Sequence, residues 1–182
     1  MNRAVFLDRD GTLIREVHYL SRSEDLDLLP GVPHALARLG AAGFLRLVVT
    51  NQSGVARGTF PLEFVTACHE LLLRQVRDAG GDIEGFYVCP HHPDHTGLCE
   101  CRKPATGLLS EAVVKWRVDL AKCWVVGDKP ADILLGRNAG CTTALVRTGY
   151  GAETELKLAV DGVVPDVVGD DLPAVVEEIL KR

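Results

Sequence analysis

Nowhere does this chain of 182 residues carry an apolar run near the roughly 18 residues that a membrane-spanning helix needs. No charged and apolar leader precedes the first strand-like run, Ala4 to Leu7. Lysine and arginine never cluster, and the net charge of -5 with a sequence pI near 5.7 argues against a phosphate-backbone partner. Repeats, low-complexity tracts and linkers are missing as well, which speaks against a solenoid or a second domain. With 47% hydrophobic and 25% charged residues the chain can build an ordinary core. The expectation is one domain over residues 1–182, cytoplasmic and monomeric, with neither a membrane nor a nucleic acid as partner.

Cysteine is more plentiful than such a protein needs. Of six, Cys68, Cys123 and Cys141 stand singly in apolar segments and read as small buried hydrophobes. Cys89, Cys99 and Cys101 share one loop with His91, His92 and His95, and in a reducing compartment that grouping points to metal rather than to a disulfide. One imidazole and three thiolates suit tetrahedral zinc in a closed, structural site, with three histidines competing for one place. A loop of reduced cysteines without metal is the plainer alternative.

Short β-branched runs alternate with helical patterns, which predicts an α/β fold: a doubly wound, mainly parallel sheet with crossover helices. Strands are expected at Ala4–Leu7, Leu45–Val49, Ile83–Val88, Cys123–Val126, Thr142–Val146 and Val163–Val168, the last at an edge. Val32, Ala35, Leu36 and Leu39 share one helical face after Gly31, and Phe64, Val65, Cys68, Leu71, Leu72, Val76 and Ala79 share another. Further helices are read at Leu108 to Trp116, Pro130–Ala139 and Leu172–Leu180.

Polar runs stand at the carboxyl ends of three of these strands, where ligands bind in open parallel sheets. They are Asp8, Arg9, Asp10, Gly11 and Thr12; Thr50, Asn51, Gln52 and Ser53; and Gly127, Asp128 and Lys129. Asp8 and Asp10 are one residue apart and, in extended backbone, face the same way. Their repulsion calls for a bound cation or a held proton. Singly, each group has a plain reading: Asp-Gly as a turn, Thr50 and Asn51 as a helix-capping turn, Lys103 as a solvated charge, Asp132 as a first-turn helix acid.

Together these runs resemble the haloacid dehalogenase (HAD) superfamily of phosphatases. Asp8-Arg9-Asp10-Gly11-Thr12 is similar to its first motif, Thr50-Asn51 to the second, Lys103 to the third and Gly127-Asp128 to the fourth. Longer strings resemble the heptose-1,7-bisphosphate 7-phosphatase branch: Gln52-Ser53-Gly54-Val55-Ala56-Arg57-Gly58, Cys89-Pro90-His91-His92-Pro93 and Cys99-Glu100-Cys101-Arg102-Lys103-Pro104. Histidinol-phosphate phosphatases share much of them.

That resemblance implies a HAD-type Rossmann-like fold without a large cap domain, and a magnesium-dependent hydrolysis of a phosphorylated sugar. Asp8 would be the nucleophile and Asp10 the acid and base. Asp8, the Asp10 carbonyl and Asp128 would hold Mg2+, while Lys103, the Thr50 hydroxyl and backbone N–H groups around Asn51 would hold phosphate oxygens. Asp132 would orient Lys103 or a metal-bound water. The resemblance favours His91 over His92 and His95 as the partner of Cys89, Cys99 and Cys101 on Zn2+. Glu16, Val17, His18 and Tyr19 correspond to the stretch that meets the sugar, with Asn51, Gln52, Ser53, Arg102 and Lys129 as further substrate contacts and Arg102 meeting the distal phosphate. His18 stands where some relatives carry glycine. The expected reaction removes the 7-phosphate of heptose bisphosphate on the route to activated heptose. Histidinol phosphate is the alternative substrate, and a non-catalytic, zinc-stapled phospholigand-binding module is a more distant reading.

Overall fold

In the computed structural model, which describes residues 1–182, the first apolar run forms a buried strand, β1 (Arg3–Leu7). Side chains alternate across a strand. Val5 and Leu7 accordingly pack on one face of the sheet and Ala4 and Phe6 on the other, all four fully buried. Apolar residues on both faces demand a helical layer on each side.

The sheet continues with β2 (Phe44–Asn51), β3 (Gly85–Cys89), β4 (Trp124–Gly127), β5 (Thr142–Val146) and β6 (Val167–Gly169). All neighbours are parallel, in the order β3-β2-β1-β4-β5-β6. Helices α1 (Val32–Ala41), α2 (Leu62–Asp78) and α7 (Leu172–Leu180) cover the face of Val5 and Leu7. On the other face lie α4 (Gly107–Trp116), α5 (Pro130–Ala139) and α6 (Gly151–Val160). A four-residue helix, α3 (Pro93–Thr96), interrupts the Cys/His loop. None of the helices is long and apolar enough to cross a membrane.

The strand order reverses between β1 and β4, so the turns after these two adjacent strands open a crevice at the switch point. Asp8 follows β1 there and Asp128 follows β4, and the Asp8 N–H donates to Val126 O at 2.9 Å.

Helix α5, strand β5 and helix α7 lie where the sequence pattern places them; other boundaries move. β2 runs on through Thr50 and Asn51, because Asn51 still pairs in register with Cys89. The expected strand Ile83–Val88 begins two residues later at Gly85. The last strand shrinks from Val163–Val168 to Val167–Gly169, with three residues pairing to β5. Helix α6 has no counterpart in the sequence reading: it buries only Gly151, Thr154 and Leu158, and leaves Leu156 and Val160 exposed, so its apolar pattern shows no stripe.

Candidate active site

The site begins with a buried cation between two buried acids. Lys103 Nζ lies 2.9 Å from Asp8 Oδ1 and 2.6 Å from Asp132 Oδ1, and donates to Val49 O at 2.8 Å. Its three N–H groups thus meet three acceptors, which is what a buried ammonium requires. Burial works against the Lys103 charge, but Asp132 and Asp8 more than offset it and raise its pKa. For Asp8, burial alone would raise the pKa, yet Lys103 and Lys129 beside it hold the carboxyl below its usual range. Asp8 is therefore an anion, 5% exposed, at the end of the central strand.

Asp128 is the opposite case. Burial, and then the charge of Asp8, push its carboxyl up to about 8. The Tyr150 N–H donates to Asp128 Oδ2 at 2.9 Å, whereas Asp128 Oδ1 is buried without a hydrogen-bond partner. Two glycines make room for this carboxylate: Gly11 at φ +84° and Gly149 at φ +59°, where a β-carbon on either would collide with Asp128 Oδ2.

Besides the bound cation that the sequence calls for, side-chain cations meet Asp8 and Asp10 separately: Lys103 and Lys129 face Asp8, and Arg9 faces Asp10. Asp10 takes a fork from the neighbouring Arg9, with Nη2 at 3.0 Å from both carboxylate oxygens and Nε at 3.2 Å from Oδ2. Gln52 Nε2 donates to Asp10 Oδ2 at 2.8 Å and to Thr50 Oγ1 at 2.9 Å, so one amide ties the first polar run to the second. Arg9 itself is 1% exposed and reaches His69 Nε2 through Nη1 at 3.2 Å.

Asp8, Arg9, Asp10, Glu16, His18, Tyr19, Asn51, Gln52, Ser53, Arg102, Lys103, Lys129 and Asp132 line one cavity of about 320 Å³, together with Leu20, Ala131 and Tyr150. Glu16 accepts from Lys129 Nζ at 2.8 Å and from the His18 N–H at 2.7 Å. His18, at φ +66°, turns its ring to within 3.5 Å of the Tyr150 hydroxyl. Asn51 brackets the Lys103 backbone, accepting from its N–H at 3.1 Å and donating to its carbonyl at 3.3 Å. Arg102 donates to His91 O at 3.0 Å.

Three of the expected site residues do not line that cavity. Val17 packs against the apolar core and lies outside that cavity. Thr50 and Asp128 are buried, and a carboxylate oxygen of Asp128 lies within 4.8 Å of those of Asp8 and Asp132. Among the backbone groups around Asn51, the Gln52 N–H is taken by Cys89 O at 2.8 Å.

Cys89, His91, Cys99 and Cys101 converge with every ligand atom within 4.8 Å of the others. The edges are 3.2 Å (Cys89–Cys101), 3.3 Å (His91 Nδ1–Cys101), 3.4 Å (Cys99–Cys101), 3.7 Å (Cys89–Cys99) and 3.9 Å (Cys89–His91 Nδ1). Zinc–sulfur bonds of about 2.3 Å imply tetrahedral edges of about 3.8 Å, so the four groups fit one zinc ion. Burial and the surrounding thiols push Cys101 up to about 12, whereas hydrogen bonds from Cys101 and from backbone N–H groups outweigh burial to bring Cys99 down to about 7. Four ligands close the shell and leave no place for chemistry. His92 and His95 stand apart, with Arg57 between them: Nη2 is 2.9 Å from His92 Nε2 and Nη1 is 3.4 Å from His95 Nε2.

The sequence reading passed over Arg9 as a buried side chain, His69 and Tyr150. His69 interrupts the apolar face of α2, the one signal that marked it; Arg9 and Tyr150 had none.

A family model described as HAD-hydrolase-like matches residues 100–175. The D-glycero-D-manno-heptose-1,7-bisphosphate 7-phosphatase of Thermosynechococcus vestitus is 42% identical over 97% of this chain and 94% of its own. That of Yersinia pestis is 39% identical over 96% and 95%. Among solved structures, D,D-heptose 1,7-bisphosphate phosphatase from B. bronchiseptica, complexed with magnesium and phosphate, is 35% identical and superposes with a TM-score of 0.88 over 100% of this chain and 99% of that one. On these sequences and this fold, the chain belongs to the D-glycero-D-manno-heptose-1,7-bisphosphate 7-phosphatase family of HAD-like hydrolases.

Proposed function

We propose that this protein hydrolyses a phosphomonoester through an aspartyl-phosphate on Asp8, and that its substrate is D-glycero-D-manno-heptose 1,7-bisphosphate, which loses its 7-phosphate. The observation that carries the chemistry is an ionised carboxylate at a strand end, fixed between Lys103 and Lys129 and facing a polar cavity. The substrate rests on the names of relatives 42% and 39% identical. They favour the heptose bisphosphate over histidinol phosphate.

Asp8 attacks the phosphorus, and the bond from phosphorus to the sugar oxygen breaks. Asp10, held by Arg9 and Gln52, gives its proton to that leaving oxygen. Water entering next yields a proton to Asp10 as it attacks the aspartyl-phosphate, which releases phosphate and restores Asp8. Lys103 offsets charge on the phosphoryl oxygens, and Arg102, at the cavity's rim, offers a planar fork for the second phosphate.

The acid cluster fits a divalent cation. Asp128 Oδ1 has no hydrogen-bond partner, and the Asp128 carboxyl, raised to about 8, gains by having positive charge near it. Asp8, the Asp10 carbonyl and Asp128 would hold magnesium, and magnesium there lowers the repulsion between a carboxylate and a phosphate dianion. Zinc in the Cys/His cluster would fold the loop that ends in Arg102 and Lys103.

Rates on both heptose bisphosphate anomers, histidinol phosphate and simple sugar phosphates, measured side by side with magnesium, test the substrate. A heptose bisphosphate should lead in kcat/KM by about tenfold or more. Equal or faster turnover of histidinol phosphate would reassign it.

A further inference from the structure

We propose that His69, a residue of α2 outside the cavity wall, is a positioning residue for Asp10 and acts through the guanidinium of Arg9. The inference rests on the reading of Asp10 as the proton donor to the leaving oxygen.

An arginine side chain has five N–H groups in a rigid plane, and burying it requires acceptors for them. Arg9 spends Nε and Nη2 on Asp10, and its Nη1 meets His69 Nε2 at 3.2 Å. A histidine nitrogen accepts from arginine only as the neutral imidazole with its lone pair on Nε2. Burial, joined by the charge of Arg9, pushes the His69 imidazole down to about 3, which keeps the ring in that form. The ring is itself held: it is 6% exposed and stacks on Phe86 of β3, with centroids 4.4 Å apart and planes within 15°.

The order of support therefore runs from Phe86 to His69, to Arg9, to Asp10. With the fork fixed at its far end, the Asp10 carboxylate keeps one orientation, and Gln52 Nε2 at 2.8 Å sets its remaining edge. Loss of the lone pair on His69 leaves a buried Nη1 without an acceptor, which the guanidinium escapes by rotating. Rotation takes Asp10 with it. The nucleophile is spared, because Asp8 is held by Lys103 and by the Arg9 N–H, not by the Arg9 side chain.

This division predicts which reactions suffer. A sugar alkoxide leaves poorly and needs the Asp10 proton in the transition state, whereas p-nitrophenolate leaves without one. The test compares kcat/KM for the best sugar-phosphate substrate and for p-nitrophenyl phosphate in the parent, His69→Leu and His69→Gln, all magnesium-loaded and matched by thermal melting. His69→Leu should lose about tenfold on the sugar phosphate and less than about twofold on p-nitrophenyl phosphate. His69→Gln, whose amide oxygen can still accept from Arg9, should recover most of the loss. Equal losses on both substrates, or no loss on either, would overturn the proposal. If His69→Leu does not fold, His69→Asn, too short to reach Arg9, should show the same split. Asp10→Asn serves as the reference. Full sugar-phosphate turnover in Asp10→Asn would remove the reading of Asp10 itself, whereas an inactive Asp10→Asn beside an unimpaired His69→Leu would remove only this inference.

Discussion

Lys129 brings its ammonium to 3.6 Å from Asp128 Oδ1, a buried carboxylate oxygen that has no hydrogen bond. The same nitrogen lies 3.9 Å from Asp8 Oδ2 and 3.5 Å from Asp10 O. Positive charge thus already faces the three oxygens proposed to hold magnesium. Two cations at one cluster compete, so Lys129→Met should bind magnesium more tightly, by about tenfold or more, since a unit charge some 4 Å from a divalent ion amounts to about 2 kcal/mol even when screened as in bulk water. Titration calorimetry checks this directly. Weaker magnesium binding in the variant would mean that Lys129 supports the cation rather than opposing it.

Lys103 is the counter-ion of two buried acids, and its removal is a stability question before it is a catalytic one. Lys103→Met leaves Asp8 and Asp132 buried side by side without a cation, which should cost about 3–5 kcal/mol. At roughly 2–4 °C per kcal/mol for a chain of this size, Tm should fall by about 10 °C in magnesium-free buffer.

His69 gives folding a pH dependence with a definite sign. Its folded pKa of about 3 lies below the ordinary 6.5, so the unfolded chain binds the extra proton. Stability is therefore fully present above pH 6.5 and is lost as pH falls from 6.5 toward 3. Between pH 7 and pH 4.5 the parent should lose roughly 2–3 kcal/mol more than His69→Gln, in which that group does not titrate. Denaturant titrations of both proteins across that range measure the difference.

Zinc removal should act on catalysis at a distance. Cys101 directly precedes Arg102 and Lys103, and the Gln52 N–H is tied to Cys89 O at 2.8 Å, so the cluster braces two walls of the cavity. Cys101→Ser should lower zinc content, soluble yield and phosphate release together. Full turnover in a zinc-free variant would uncouple the loop from the site.

Much of this arrangement is legible before any coordinates. A near-continuous buried run locates β5, Pro130 at its start and Gly140 past its end locate α5, and the buried apolar face of Leu172, Val175, Val176 and Ile179 locates α7. Helix α6 escapes because its buried positions include a glycine and a threonine. The polar runs after β1, β2 and β4 announce a crevice, but their mutual distances depend on strand order, which sequence does not encode locally. Hence Lys103 between Asp8 and Asp132 follows from a family resemblance, while Arg9 and His69, 60 residues apart, meet only through the packing of α2 on the sheet. A buried arginine beside two aspartates also contradicts the usual expectation that charged residues stay outside, and only its partners explain it.

The most direct test of the nucleophile is to trap it. Rapid acid quench of the magnesium-loaded enzyme with radiolabelled sugar phosphate, followed by peptide mapping, should place a labile acyl phosphate on the peptide containing Asp8, and Asp8→Asn should show neither label nor phosphate release. Label on another residue, or parent-like phosphate release by Asp8→Asn, would contradict the account.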